Sequence, residues 1–143
     1  MTNLVSVIIP TYNGEKYIRD TIRSIKEQDV DVALEIIVID DISTDNTVKI
    51  AQEMGCRVIV NTEHKGQVAA KNIGIREANG KYWMTIDQDD MLTEGALKRL
   101  LEEFEKDSEI KIVMAKLKDF CSPDTPEQAK YCKPKPFYGI LTG

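Results

Sequence analysis

The sequence predicts an α/β domain built on a mainly parallel sheet, and three observations carry that prediction. Short β-branched runs alternate with segments whose apolar residues recur at helical spacing. The runs are continuously apolar rather than alternating, which is the texture of strands buried on both faces. Turn-forming residues separate runs from helical segments, so the chain reads as repeated βα units joined by right-handed crossovers.

The elements follow in order. Val5–Ile9 is a strand that Pro10 is expected to stop, and Thr11-Tyr12-Asn13-Gly14 makes a turn. Glu15–Gln28 sets Ile18, Ile22 and Ile25 on one face of an amphipathic helix. Glu35–Ile39 is the second strand and ends at Asp40-Asp41. Ser43, Thr44 and Asp45 suit a helix N-terminus, Val48, Ala51 and Met54 give that helix its apolar face, and Gly55 stops it. Val58–Val60 is the third strand, and Asn61–Gly66 is a polar loop. Ala69, Ala70, Ile73 and Ala78 mark a helix with a small face, with Gly74 as a close-packing point and Asn79-Gly80 as its end. Tyr82–Ile86 is the fourth strand, where Trp83 and Met84 read as core or sheet face. Thr93 is placed to cap a helix carrying Leu97, Leu100, Leu101 and Phe104, and Ile110–Ala115 reads as a fifth strand.

This pattern assigns residues 1–118 to one domain. From residue 119 to residue 143 the texture is irregular, interrupted by Pro123, Pro126, Pro134 and Pro136. The apolar cluster Phe137–Leu141 needs something to bury against, which leads us to expect further chain.

With 143 residues and 42% hydrophobic content, the chain can bury one ordinary core. A formal charge of -5 disfavours general nucleic-acid binding, whose footprint is a basic stripe. Cys56, Cys121 and Cys132 make neither a CxxC pair nor an even disulfide framework, and with a single histidine they do not suggest a Cys/His zinc site. A reducing, cytoplasmic setting fits that usage best. Met1-Thr2-Asn3 offers no basic leader, and no stretch reaches the length of a membrane span.

The functional signal is where the polar residues fall. In parallel α/β sheets ligands bind beyond the carboxyl ends of the strands, at the point where crossovers diverge. Pro10–Gly14, Asp40–Asp45, Asn61–Gln67 and Asp87–Asp90 all land on that edge. Carboxylates gathered there repel one another unless a cation or donor sits between them, so a divalent metal carrying a phosphate-bearing ligand is the natural occupant. Neither GxxxxGK[ST] nor GxGxxG occurs.

Four ordered blocks carry a resemblance: V-S-V-I-I-P-T-Y-N-G-E-K-Y-I, E-I-I-V-I-D-D-I-S-T-D-N-T, G-Q-V-A-A-K-N-I-G-I-R-E-A-N-G-K-Y and I-D-Q-D-D. From about Leu4 to Leu101 the chain resembles the N-terminal part of the family 2 glycosyltransferases. The resemblance implies the GT-A fold, a Rossmann-like three-layer α/β/α arrangement, truncated here before the acceptor half. It implies transfer of a sugar from a nucleotide-diphosphate sugar, UDP or TDP first, to a hydroxyl of a carbohydrate or glycolipid acceptor. Metal assistance by Mg²⁺ or Mn²⁺ and inversion at the anomeric carbon are implied with it.

The resemblance also distributes roles. Pro10, Thr11, Tyr12, Asn13, Asp40, Asp41, Lys71, Asp87 and Gln88 form the nucleotide-sugar set, with Tyr12 stacking on the base and Asp41 reading its edge. Asp89, with Asp87, holds the metal, and Asp90 orients the loop or touches the donor sugar. The catalytic base is expected beyond Gly143, and peripheral membrane association through that further region. Two positions depart from the family pattern. Ile42 stands where glycine follows the paired acids, and is strained if φ is positive there. Lys71 stands where arginine is usual, keeping the charge but losing the bidentate fork.

Blander readings compete. The acids can be helix caps, Lys71 a solvated helix lysine, Thr11 and Asn13 turn residues that satisfy backbone groups, and His64 a loop residue with no carboxylate at a recognisable spacing. A nucleotidyltransferase would need a Gly-rich basic loop after the first strand, where this chain has P-T-Y-N-G-E-K. A nucleotide-sugar-binding module without transfer is the alternative from another class.

Overall fold

A computed structural model describes residues 4–113 of the chain. Cys121, Cys132, the late prolines and the Phe137–Leu141 cluster lie outside the described residues, as does the domain boundary read at residue 118. The chain divides into two compact units, Met1–Gly95 and Ala96–Gly143.

In the first unit the order is β1 (Leu4–Thr11), α1 (Ile18–Lys26), β2 (Ala33–Asp40), α2 (Thr47–Glu53), β3 (Arg57–Val60), α3 (Gln67–Glu77) and β4 (Tyr82–Thr85). The sheet is four-stranded in the order β3-β2-β1-β4, and every pairing is parallel. β1 is central, pairing with β2 from Leu4↔Ala33 to Thr11↔Asp40 and with β4 over Val5–Ile8. Its Val5, Val7, Ile8 and Ile9 are buried, as a strand covered on both faces requires.

Direction along the sheet reverses at β1. The chain steps outward from β1 through β2 to β3, then crosses back to β4 on the other side. Right-handed crossovers therefore put α1 and α2 on one face and α3 on the other. On the α3 face, Ala70 packs into a cluster with Ile8, Ile37 and Ile39. Gly74 permits that closeness, since a methyl group there would overlap Ile8 Cγ2 and press on Ile39 Cγ1. Ile18, Ile22 and Ile25 of α1 are fully buried, as their spacing predicts.

Pro10 does not stop β1, which continues to Thr11. Thr11 O accepts from Asp41 N on the β2 side at 2.8 Å, so the preceding residue turns its nitrogen the opposite way. On that side the last rung to β4 is Ile86 N to Ile8 O at 3.0 Å, and Pro10, lacking an N–H, ends that ladder without interrupting the pairing with β2. α1 starts three residues later than the sequence suggests, because Glu15–Tyr17 form a turn in which Tyr17 N and Ile18 N both reach Gly14 O at 3.0 Å.

A polar cluster pins the opposite, amino-terminal edge of the sheet. Glu35 accepts from Ser6 Oγ at 2.6 Å, Asn79 N at 3.0 Å and Asn79 Nδ2 at 2.7 Å. Burial pushes its carboxyl up. The Ser6 hydroxyl, the two Asn79 donors and the Arg57 charge outweigh that and hold it below the usual glutamate range.

In the second unit α4 (Ala96–Lys106) has Leu97 buried and Leu100, Leu101 and Phe104 half-buried, matching its predicted apolar face. Gly95, at φ 68, directly precedes its first residue in the chain. The fifth strand is not present over residues 110–113, and residues 114 and 115 lie outside the described range. Trp83, read as core or sheet face, is half exposed on β4.

Candidate active site

The divergence of crossovers between β1 and β4 opens a cleft of about 470 Å³ at the carboxyl edge of the sheet. All four stretches picked out from the sequence contribute to it. Pro10 and Thr11 come from the end of β1 and Tyr12 from the turn after it, Asp41 follows β2, and Asp87, Gln88 and Asp89 follow β4. His64, Gly66, Gln67 and Ala70 come from the loop after β3 and the start of α3, and of these none was singled out by sequence as a site residue.

At one end stands Asp41, buried and saturated with donors. Its Oδ1 accepts from Asn61 Nδ2 and Lys65 N, and its Oδ2 from Gly66 N, each at 2.8 Å. His64 Nδ1 lies 2.9 Å from the same Oδ2. Burial pushes the Asp41 carboxyl up, but Lys65 N–H, the Asn61 amide, Gly66 N–H and the nearby His64 together hold it below the ordinary carboxylate range. Gly66 serves this arrangement directly, because its φ of 82 aims its N–H at Asp41 and starts α3 without a Cβ penalty. Tyr12 flanks the same end with its ring half exposed, 5.1 Å from the His64 ring and inclined at 60°. His64 was read from sequence as a loop residue without a paired carboxylate, and the fold supplies that carboxylate from 23 positions away in sequence.

Asp40 and Asn13 are placed behind the cleft wall. Asp40 is fully buried and accepts from Thr11 Oγ1 at 3.0 Å, Ser43 N at 2.8 Å and Ser43 Oγ at 2.6 Å. Asn13 Oδ1 accepts from Thr44 N at 2.8 Å while Asn13 N donates to Ser43 Oγ at 2.8 Å. Asp45 extends this zipper, accepting from Glu15 N at 3.1 Å and Thr47 N at 2.9 Å. Burial pushes the Asp45 carboxyl up, yet its bonds from the Thr47 hydroxyl, Thr47 N–H and Glu15 N–H bring it below the usual value. Between these pinned residues Ile42 takes φ 65, the positive value that its place after the paired acids raised as a concern.

At the other end are the acids after β4. Asp87 Oδ1 accepts from Gln67 Nε2 and pairs with Lys71 Nζ, both at 2.8 Å. Gln67 and Lys71 are four residues apart on α3 and so share a face. Asp90 is pushed up by burial and by the negative charges of Asp89 and Asp87, with Lys71 opposing. That crowding is the signature of a place short of positive charge. Gln88 lines the cleft and also braces it. Its Oε1 accepts from Tyr12 N at 2.9 Å, its Nε2 donates to Tyr12 O at 3.0 Å, and its main-chain O accepts from Thr21 Oγ1 at 2.7 Å.

Among the described residues, no three acidic, histidine or cysteine side chains converge tightly enough to cage an ion by themselves. Asp89 nonetheless lines the cleft next to Asp87. One or two carboxylates, with the remaining coordination left to phosphates and water, is the donor set that Mg²⁺ and Mn²⁺ accept. The residues present fit such an ion arriving with a diphosphate.

Comparison with known proteins bears on the whole arrangement. The sequence model described as Glycosyl transferase family 2 matches residues 6–139. Glycosyltransferase GlyG of Streptococcus pneumoniae is 36% identical over 118 residues, covering 78% of this chain and 39% of that protein. The crystal structure of Staphylococcus aureus TarS 1-349 in complex with UDP-GlcNAc is similar with a TM-score of 0.68 at 30% identity, covering 71% of this chain and 31% of that one. The mannosyltransferase PcManGT of Pyrobaculum calidifontis, in complex with GDP-Man and Mn²⁺, gives a TM-score of 0.64 at 28% identity, over 70% of this chain and 32% of that one. The chain thus spans less than half the length of these proteins.

Proposed function

The chain belongs to glycosyl transferase family 2 and has the GT-A fold, and from that premise we propose that it is the donor-binding part of a metal-assisted glycosyltransferase using a nucleotide-diphosphate sugar. One observation supports this most. A single cleft has a buried carboxylate beside an exposed aromatic ring at one end, and unneutralised acids beside a lysine at the other. A nucleotide sugar has the matching polarity, with a flat base bearing ring N–H at one end and a diphosphate at the other.

In this reading Tyr12 is the platform for the base and Asp41 accepts from its edge. Asp89 and Asp87 hold Mg²⁺ or Mn²⁺, and that ion, when bound, supplies the positive charge that stabilises the leaving diphosphate. Lys71 Nζ, already beside Asp87, meets the same phosphates. Thr11 and Gln88, which line the cleft, meet the donor, while Asp40 and Asn13 hold the surrounding loops in place. Pro10 forms the cleft wall. Residues 1–118 form the donor domain, and the acceptor is a carbohydrate or glycolipid hydroxyl, attacked with inversion. UDP or TDP sugars are the preferred donors, and the cytoplasm, at the inner face of the membrane, is the working compartment.

Calorimetric titration with UDP-, TDP- and GDP-sugars, with and without Mn²⁺, tests the reading. Binding should be metal-dependent, and Asp89→Ala should weaken it by roughly tenfold or more, about 1.4 kcal/mol. Equal affinity of the variant with and without Mn²⁺ at the wild-type level removes Asp89 from its role. The second reading is a nucleotide-sugar-binding module without transfer. Acceptor-dependent release of nucleotide by the chain would exclude it.

A further inference from the structure

We propose that His64 occupies the base slot when no nucleotide is bound, and yields it by exchanging places with the base at Asp41. The inference deepens the donor-site reading and rests on it.

A carboxylate offers about four acceptor positions. Four groups crowd Asp41, three hydrogen-bond donors and the His64 imidazole with Nδ1 2.9 Å from Oδ2, and the Asp41 side chain is only 4% exposed, so a fifth group has no approach. A base N–H can reach Asp41 only if one of the four leaves. Three of them cannot leave cheaply. Lys65 N, Gly66 N and Asn61 Nδ2 hold the loop between β3 and α3 against β2, and releasing any of them strands a donor and unpicks the start of α3. The fourth can. The His64 side chain is 64% exposed, so its imidazole returns to water with its contact to Asp41 replaced by solvent.

The imidazole also resembles what it would give way to. It is a flat ring presenting a ring nitrogen to Asp41 Oδ2 at 2.9 Å, with the Tyr12 ring against it at 5.1 Å. Uracil, thymine and guanine each carry a ring N–H on an edge of similar reach. The exchange gives up one ring-nitrogen contact with the carboxylate and makes a hydrogen bond from the base in its place, so it costs little. It also explains how a saturated carboxylate can still read a ligand.

His64 is the one histidine of the chain, so untagged, ¹⁵N-labelled protein gives a single imidazole spectrum. At one fixed pH and with Mg²⁺ present, uridine and UDP should both move its Nδ1 signal from a carboxylate-contacting to a solvent-exposed position. Inorganic pyrophosphate should leave it in place. His64→Ala, with nothing to displace, should bind UDP about two- to tenfold more tightly. An unmoved signal in UDP-saturated protein, movement with pyrophosphate equal to that with uridine, or affinity in His64→Ala that is unchanged or weaker would overturn the exchange and leave the donor site standing. Failure of the wild-type chain to bind UDP at all would overturn the donor-site reading and the exchange with it.

Discussion

Ile42 shows how a residue can be held in a conformation it disfavours. Its φ is 65, and both neighbours are fixed, Asp41 by its ring of donors and Ser43 by Asp40 and Asn13. Left-handed backbone costs an L residue roughly 1–2 kcal/mol, and the β-branch makes this case worse. Glycine removes that cost but adds freedom to the unfolded chain. Ile42→Gly should therefore stabilise the protein by about 0.5–1 kcal/mol, read as a raised urea midpoint with an unchanged slope. A lower midpoint would mean that the Ile42 side chain contributes packing greater than its strain. Lys71 is a second residue whose sequence reading was divided. Its pairing with Asp87 makes it more than a solvated lysine. Lys71→Met should weaken UDP binding about tenfold while leaving uridine binding unchanged, since uridine lacks the phosphates. Equal losses for both ligands would place the lysine's effect elsewhere.

At the scale of elements, α3 depends on one small residue. Gly74→Ala drives a methyl group into Ile8 and Ile39 at the centre of the sheet, where nothing can move aside freely. The expected cost is about 1–3 kcal/mol, measured by denaturant unfolding, and it should exceed the gain in helix propensity. Much of this layer was legible in the sequence, because continuous β-branched runs and the spacing of Ile18, Ile22 and Ile25 depend only on local periodicity. Where the reading slipped, the deciding fact was not local. Pro10 stays in β1 because its nitrogen faces the β4 side while pairing with β2 runs on to Thr11, and which neighbour lies on which side is not contained in the sequence of β1. Ile110 and its neighbours have strand-like composition, yet residues 110–113 have no strand partner. In the site, the four acidic and turn stretches were found because parallel topology sends each to one edge. His64 was missed because its partner comes from another strand end. Gln67 could have been found, being one helical turn before Lys71 and facing the same Asp87.

For the molecule as a whole, three low-lying carboxylates couple the fold to acidity. Glu35 ties the amino-terminal edge of the sheet, while Asp41 and Asp45 tie the loops at the carboxyl edge. Each has its folded pKa below the unfolded value. Their contribution is therefore fully present above the ordinary carboxylate value near 4, and is lost as pH falls through the lower folded values. Urea midpoints measured from about pH 6 down to about pH 3 should fall steeply for the wild type. The Glu35→Gln, Asp41→Asn double variant should be less stable at the upper end and show a flatter decline. A variant profile parallel to the wild type would assign the acid sensitivity to other groups. Finally, the paired hydrogen bonds between the Gln88 carboxamide and the Tyr12 main chain make the aromatic platform and the acidic corner a single mechanical piece. Whichever half of a two-ended guest docks first stiffens the seat of the other, and thermodynamic reciprocity makes the advantage equal in both orders of arrival.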